Sequence, residues 1–198
     1  MNVTIIGASD AFARGLATWA VAAGHNVSVV GFNLAQATAL ASTIKGAQPK
    51  GPSDSLTDTL IFVAMPFNCV LDAGNFYGKQ FDGKIVVDVT TPINPDTVEA
   101  IIPEAGSVAE EIAKMHPTAK VVKAFNPRFS GALVAGENSG EEADEVLLAG
   151  DDFQAKRTVA QFFNQGGLRA TDLGPLRRAG ELEAAGHRRA LNRGTARV

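Results

Sequence analysis

Cysteine is nearly absent: Cys69 is the only one in 198 residues. That excludes an internal disulfide and any zinc cluster built from several thiolates. Taken alone, Cys69 reads as a small buried hydrophobe. The three histidines, His25, His116 and His187, are too scattered for metal-ligand spacing, so no metal is expected. They read as structural, His25 as a turn residue and His116 as a helix-end residue. No Ser–His–Asp or Cys–His arrangement can be assembled, and catalytic residues are left unassigned. Long apolar runs are missing too, so no membrane span is expected. The opening Met1-Asn2-Val3-Thr4-Ile5-Ile6-Gly7 has none of the parts of a secretory signal, which makes a reducing cytoplasm the expected location. An excess of charge of either sign is missing as well, with 18 Lys and Arg against 21 Asp and Glu and a net of −3. The charge is uneven, however: residues 169–198 hold seven arginines against three acids, a local +4 that leaves −7 for the rest. A basic tail on an acidic body reads as a solvated helix face, and nucleic acid is not an expected partner.

What is present is a regular alternation of buried strands and helical spacing. Strands are expected over Asn2–Ile6, Val27–Val30, Thr59–Ala64, Lys84–Val89, Val121–Phe125 and Glu145–Ala149. Helices are expected over Ala11–Ala23, Leu34–Ile44, 67–78, Ser107–Met115, Asp151–Gln165 and Leu176–Leu191. Residues 47–55, rich in Pro, Gly and Ser, read as a loop. Ser107 with Glu110 three residues on is a capping-box pattern. Strands apolar throughout and separated by helices call for a parallel sheet covered on both faces. The expected fold is therefore α/β, a Rossmann-like doubly wound sheet over 1–173 with a C-terminal helix and basic tail over 174–198.

In such a sheet ligands bind at the carboxyl ends of the strands. The first βα turn, Gly7-Ala8-Ser9-Asp10-Ala11-Phe12-Ala13-Arg14-Gly15, stands where a dinucleotide fingerprint requires it. Gly7 can make the tight turn, and Ala13 is accepted where helix meets strand. Asp10 replaces the middle glycine, and its carboxylate opposes a pyrophosphate unless it caps the helix itself.

Further motifs follow in order: Val86-Val87-Asp88-Val89-Thr90-Thr91-Pro92, Gly106-Ser107-Val108-Ala109-Glu110, Val121-Val122-Lys123-Ala124-Phe125-Asn126, Leu147 to Asp152, Gly174-Pro175-Leu176 and Glu181-Leu182-Glu183. Together they resemble the coenzyme F-420-dependent NADP reductases and their dinucleotide-binding relatives, over nearly the whole chain. The resemblance implies a Rossmann domain with a short C-terminal extension, often a homodimer. It implies that Gly7 and Ala8 belong to the cofactor-binding turn, that Ser9, Asp10, Ala11 and Phe12 face the pyrophosphate, and that Phe32 and Asn33 lie by the adenosine ribose. Ala64, Met65 and Pro66 pass alongside the cofactor, while Thr90, Thr91, Pro92 and Asn126 approach the nicotinamide. The implied cofactor is NADP or NAD, with coenzyme F-420 or a small molecule as second substrate.

The chain departs from that pattern. Family members that bind NADP carry Ser-Arg at the end of strand two and a base in the next helix, where this chain has Phe32, Asn33 and Ala37. A 2′-phosphate normally needs Arg or Lys. The acid that would hold a free 2′-hydroxyl is missing too, and no advantage of NADP over NAD is expected. Thr91 replaces Asn, and Pro127 replaces Thr. Two readings stay open: an oxidoreductase moving a hydride between a nicotinamide and a second partner, or a degenerate relative that serves as a binding subunit or does non-redox chemistry. Asp88 reads as a residue that orders the adjacent loop.

Overall fold

The computed structural model describes residues 1–7, 11–94, 97, 99–125 and 145–194. Eight strands form one sheet: β1 (Asn2–Ile6), β2 (Asn26–Val30), β3 (Gln48–Lys50), β4 (Leu60–Val63), β5 (Ile85–Asp88), β6 (Lys120–Phe125), β7 (Glu145–Gly150) and β8 (Arg169–Asp172). Their order is β3-β2-β1-β4-β5-β6-β7-β8. The first six are parallel, β7 runs antiparallel to β6, and β8 is parallel to β7. The sheet is thus Rossmann-like and mostly parallel, and the expectation of a wholly parallel sheet is corrected at β7 and β8.

Among the described residues, six α-helices cover it: α1 (Ala11–Ala22), α2 (Leu34–Thr43), α3 (Phe67–Tyr77), α4 (Val108–Met115), α5 (Phe153–Gln165) and α6 (Ala179–Gly194). Successive strand residues point to opposite faces. In β4, Leu60 and Phe62 join a core under α1 and α5, with Leu16, Val159 and Phe162, while Ile61 and Val63 join a second core under α3 and α4, with Val70, Tyr77 and Ile112. Burial on both faces is why these strands read as unbroken apolar runs. Each fully buried Phe or Ile contributes about 1.5–3 kcal/mol.

Two strands were hidden in the sequence. Residues 48–50 pair with β2 although they fall in the stretch read as a loop. Pro49 is tolerated because β3 is an edge strand whose other side needs no N–H donor. In β8, Arg169-Ala170-Thr171-Asp172 is half-exposed at the opposite edge and lacks the apolar run that marks a central strand. The last helix starts at Ala179, after a 3-10 turn over Leu176–Arg178.

Capping follows the sequence with one change. Ser107 caps α4 and accepts from the Glu110 amide at 3.2 Å, but the Glu110 carboxylate accepts a hydrogen bond from the Ser107 hydroxyl (2.7 Å) rather than reaching back to the Ser107 amide. Asp152 caps α5 by accepting from the Ala155 amide, and Asp151 accepts from the Leu176 amide. His25 does stand between the turn that ends α1 and the start of β2. It is buried, stacks on Phe162 and meets the Phe162 carbonyl through Nε2 at 3.1 Å. Burial depresses its pKa, against the opposing pull of that carbonyl. His116, at the end of α4, is buried against the edge of Phe81. Among the described residues no helix is long and apolar enough to cross a membrane, and no group of three or more acids, cysteines and histidines could hold a metal.

Candidate functional site

Because β1 to β6 are parallel, their carboxyl ends share one edge of the sheet. The chain passes from β1 to β2 on one side and returns to β4 on the other, so the switch in strand order lies between β1 and β4. At that point Gly7 has φ 128°, and a Cβ on it would sit 1.8 Å from the Ala64 carbonyl oxygen. Only glycine lets the ends of β1 and β4 close so tightly. The Gly7 amide donates to the Val30 carbonyl (2.9 Å), and the Ala64 amide to the Ile6 carbonyl (2.9 Å). The three strand ends are therefore locked into one floor.

Beside this floor lies a cavity of about 380 Å³, large enough for a compact organic ligand. Its wall brings Gly7, Phe32 and Met65, three of the sequence-predicted residues, together with Pro52, Ser53 and one side of α3 (Cys69, Asp72, Phe76). Phe32 and Phe76 are more than half exposed, and both line it. The expectation for Cys69 is corrected in part: it packs against the second core but is only partly buried, and it also lines the cavity wall. Asn33 is engaged with its own helix, capping α2 by accepting from the Gln36 amide (2.9 Å), while Gln36 Oε1 accepts from the Phe32 amide (3.1 Å). Phe12 is partly buried and packs against the core under α1. Ala64 is buried in the floor, and exposed Pro66 stands at the N-terminal end of α3. Ala8, Ser9, Asp10 and Asn126, with Pro127, lie outside the described residues; Ala11 opens α1.

The β5–β6 end has a different character. Asp88 and Lys123 are both fully buried and form an ion pair of 2.7 Å. The same ammonium reaches Glu183 of α6 at 2.9 Å and donates to the Thr90 carbonyl. Asp88 Oδ1 accepts from the Thr90 amide (2.9 Å) and hydroxyl (2.7 Å). Glu183 Oε1 also accepts from the Val108 amide at the start of α4 (2.9 Å). All three ammonium protons thus have acceptors, the condition under which a buried cation is tolerable. Burial works against the Lys123 charge, but Asp88 and Glu183 outweigh it and its pKa is raised. Burial pushes the Glu183 carboxyl up, with Asp88 adding to this and Lys123 opposing. Asp88 does order its loop, as expected. Thr90 and Pro92 are buried at that end and Thr91 is half-buried.

Lys123 and Glu183 were missed as site residues, yet each left a signal. A lysine inside Val121-Val122-Lys123-Ala124 interrupts a buried strand, and Glu183 shares a helical face with buried Ala179 and Leu182. The cavity wall on α3 gave no signal, because Cys69, Asp72 and Phe76 meet β2 only in the fold.

Residues 2–92 match the family described as NADP oxidoreductase, coenzyme F420-dependent. The chain is 34% identical to the rat (Rattus norvegicus) metalloreductase STEAP3 over 184 residues, 92% of this chain and 36% of that protein. It thus spans about a third of the relative's length. Among solved structures, a hypothetical protein of Sinorhizobium meliloti superposes with a TM-score of 0.79 at 22% identity, covering 92% of this chain and 89% of the other. A candidate F420-dependent NADP-reductase from Arthrobacter sp. FB24 gives 0.79 at 20%, with the same coverages. An imine reductase from Myxococcus stipitatus, in complex with NAD+, gives 0.68 at 16% over 98% of this chain and 62% of its own. At these identities the structures speak for the fold. The fold is thus Rossmann-like, and residues 2–92 carry the similarity to the coenzyme F420-dependent NADP oxidoreductases.

Proposed function

We propose that this chain is the nicotinamide-binding unit of an NAD(P)-dependent oxidoreductase. The observation that carries the reading is the Gly7–Ala64 contact at the switch in strand order, beside an apolar cavity rimmed by Phe32 and Phe76. The residues fit the adenosine half of such a cofactor: a floor that admits no Cβ, and two exposed rings for a flat heterocycle. The first turn of α1 holds no acid, but Asp10 immediately precedes it, so a pyrophosphate at this helix N-terminus requires that carboxylate to be turned to capping. Thr90, Thr91 and Pro92 bound the nicotinamide half. The bound nicotinamide supplies hydride chemistry, while the chain binds and orients, so no general acid or base is required.

The matching family is described as NADP oxidoreductases that depend on coenzyme F420, and STEAP3 as a metalloreductase, so redox chemistry is common to the two and the second substrate is not. The second substrate is therefore the variable part, and coenzyme F-420 is the first to try. Selectivity at the ribose is open to a residue that sequence order conceals. Lys50 ends β3 in register with Val30 of β2, one residue before Gly31 and two before Phe32. It is a base beside the strand end where sequence reading found none.

The test is calorimetric titration of the purified chain with NADPH and then NADH at moderate salt. Micromolar binding of either supports the reading. Equal affinities fit Phe32 and Asn33, whereas a preference for NADPH abolished in Lys50→Ala assigns the 2′-phosphate to Lys50. A folded sample that binds neither sinks the oxidoreductase reading and favours a binding subunit.

A further inference from the structure

The buried charges at the β5–β6 end lie on the far side of the crevice from the apolar cavity, and the cofactor reading above gives them no chemical task. Four parts of the chain converge on one ammonium: the end of β5 through Asp88, the loop after it through Thr90, the middle of β6 through Lys123 itself, and α6 through Glu183. Glu183 adds a fifth, because the oxygen that meets Lys123 also accepts from the first amide of α4. Close packing supports this contact. A Cβ on Gly180, in the first turn of α6, would lie 3.2 Å from the Gly106 carbonyl, so the helix is seated directly on the turn that precedes α4.

Thr90 is gripped at three atoms. Its amide and hydroxyl both donate to Asp88 Oδ1, and its carbonyl accepts from Lys123. Together these contacts fix both peptide planes flanking Thr90, and with them the direction in which Thr91 and Pro92 leave the sheet. A purely apolar core could fill the same volume at less cost, since desolvating three charges is expensive. Unlike apolar packing, however, hydrogen bonds to an ion are directional and set orientation.

The geometry points to Lys123 as a positioning residue for the Thr90-Thr91-Pro92 loop, with Glu183 making the placement of that loop depend on the docking of α6. The cofactor role of the loop rests on the proposed function; the coupling of α6 to the loop does not. The C-terminal helix then acts as a latch on the nicotinamide end, while the adenosine end, built on β1, β2 and α3, is independent of it.

Two measurements on the full chain separate these statements. The first needs no ligand: amide hydrogen exchange of Glu183→Leu, Glu183→Gln and wild type. Faster exchange in 89–94 for Glu183→Leu, with 26–31 unchanged and Glu183→Gln close to wild type, is expected, because glutamine keeps the acceptor. Unchanged exchange in 89–94 overturns the latch. So does exchange that accelerates equally in both segments, as general loosening would. The second titrates Lys123→Met and Glu183→Leu with NADPH or NADH, whichever wild type binds, and with the matching fragment that lacks the nicotinamide ring. Positioning predicts that the intact cofactor loses about tenfold in affinity while the fragment loses less than about twofold, with altered fluorescence of the bound dihydronicotinamide. Equal losses for both ligands overturn the assignment and leave Lys123 a structural ion. If Lys123→Met does not fold, the Glu183→Leu and Glu183→Gln pair decides alone. Wild type that binds neither ligand removes the cofactor reading, and the exchange experiment still decides the latch.

Discussion

At the β1–β2 end of the crevice the shape is set by backbone contact. Gly7 lies against Ala64, three strand ends exchange hydrogen bonds, and the wall above them is apolar. At the β5–β6 end the shape is set by charge, with Lys123 held by Asp88, Glu183 and the Thr90 carbonyl. The first arrangement is local in the fold and tolerates changes in the walls as long as the floor closes. The second reaches from β5 to the last helix and depends on its central cation, because removing Lys123 leaves Asp88 and Glu183 buried without a partner charge. A site can thus combine an end that is rigid by sterics with an end that is rigid by electrostatics, and the two answer differently to mutation and to pH.

The most damaging change to the steric end is Gly7→Ala. Positive φ and a Cβ 1.8 Å from a carbonyl oxygen force the β1–β4 contact apart, at a cost of about 4 kcal/mol or more in urea denaturation. A cost near 1 kcal/mol would mean that the floor adapts, and the contrast between the two ends would collapse. At the electrostatic end, Lys123→Met strands two carboxylates and is expected to cost about 3–5 kcal/mol at neutral pH. The loss should shrink in acid, where Glu183 takes up a proton; a loss independent of pH would show that Lys123 acts through packing.

A smaller effect has a sign that can be checked. Glu183, whose carboxyl is held above its ordinary value chiefly by burial, contributes its full stability below the unfolded value and loses it as pH rises through the folded one. His25 lies on the opposite side of the ledger of protons: burial lowers its pKa, so its contribution is present above the unfolded value and lost as pH falls through the folded one. Thermal melts against pH should therefore show Glu183→Gln flattening the decline above weakly acid pH, and His25→Gln flattening the decline on the acid side. If each variant leaves its own limb unchanged, that group does not titrate in the folded protein as described. The smallest expected effect is at the cavity rim. Phe32→Ala should alter stability by less than about 0.5 kcal/mol, yet weaken dinucleotide binding about three- to tenfold through the loss of one aromatic face. Unchanged affinity would place the heterocycle away from Phe32.

Strand and helix positions were legible where burial is uniform. Asn2–Ile6 and Lys84–Val89 announced themselves because central parallel strands are apolar on both faces. Gln48–Lys50 and Arg169–Asp172 did not, since an edge strand can be polar, can contain proline, and differs from a loop only by having a neighbour. The site was legible in part for the same reason. Gly7, Met65 and Thr90 fall at strand ends in the expected order, whereas Cys69, Asp72 and Phe76 reach the cavity from a helix face whose direction no motif marks. Phe32 was found by its position after β2, but not its exposure or its companion ring on α3.

The sequence by itself determined the alternation of strands and helices, the cap Ser107, and the glycine at the end of β1, because each depends on neighbours within a few residues. Only the tertiary structure decided the pairing of β7 against β6, the meeting of Lys50 with β2, and the convergence of Asp88, Lys123 and Glu183. These join residues as many as 95 positions apart in the chain, and burial of a charge is settled by the partner that the fold delivers to it.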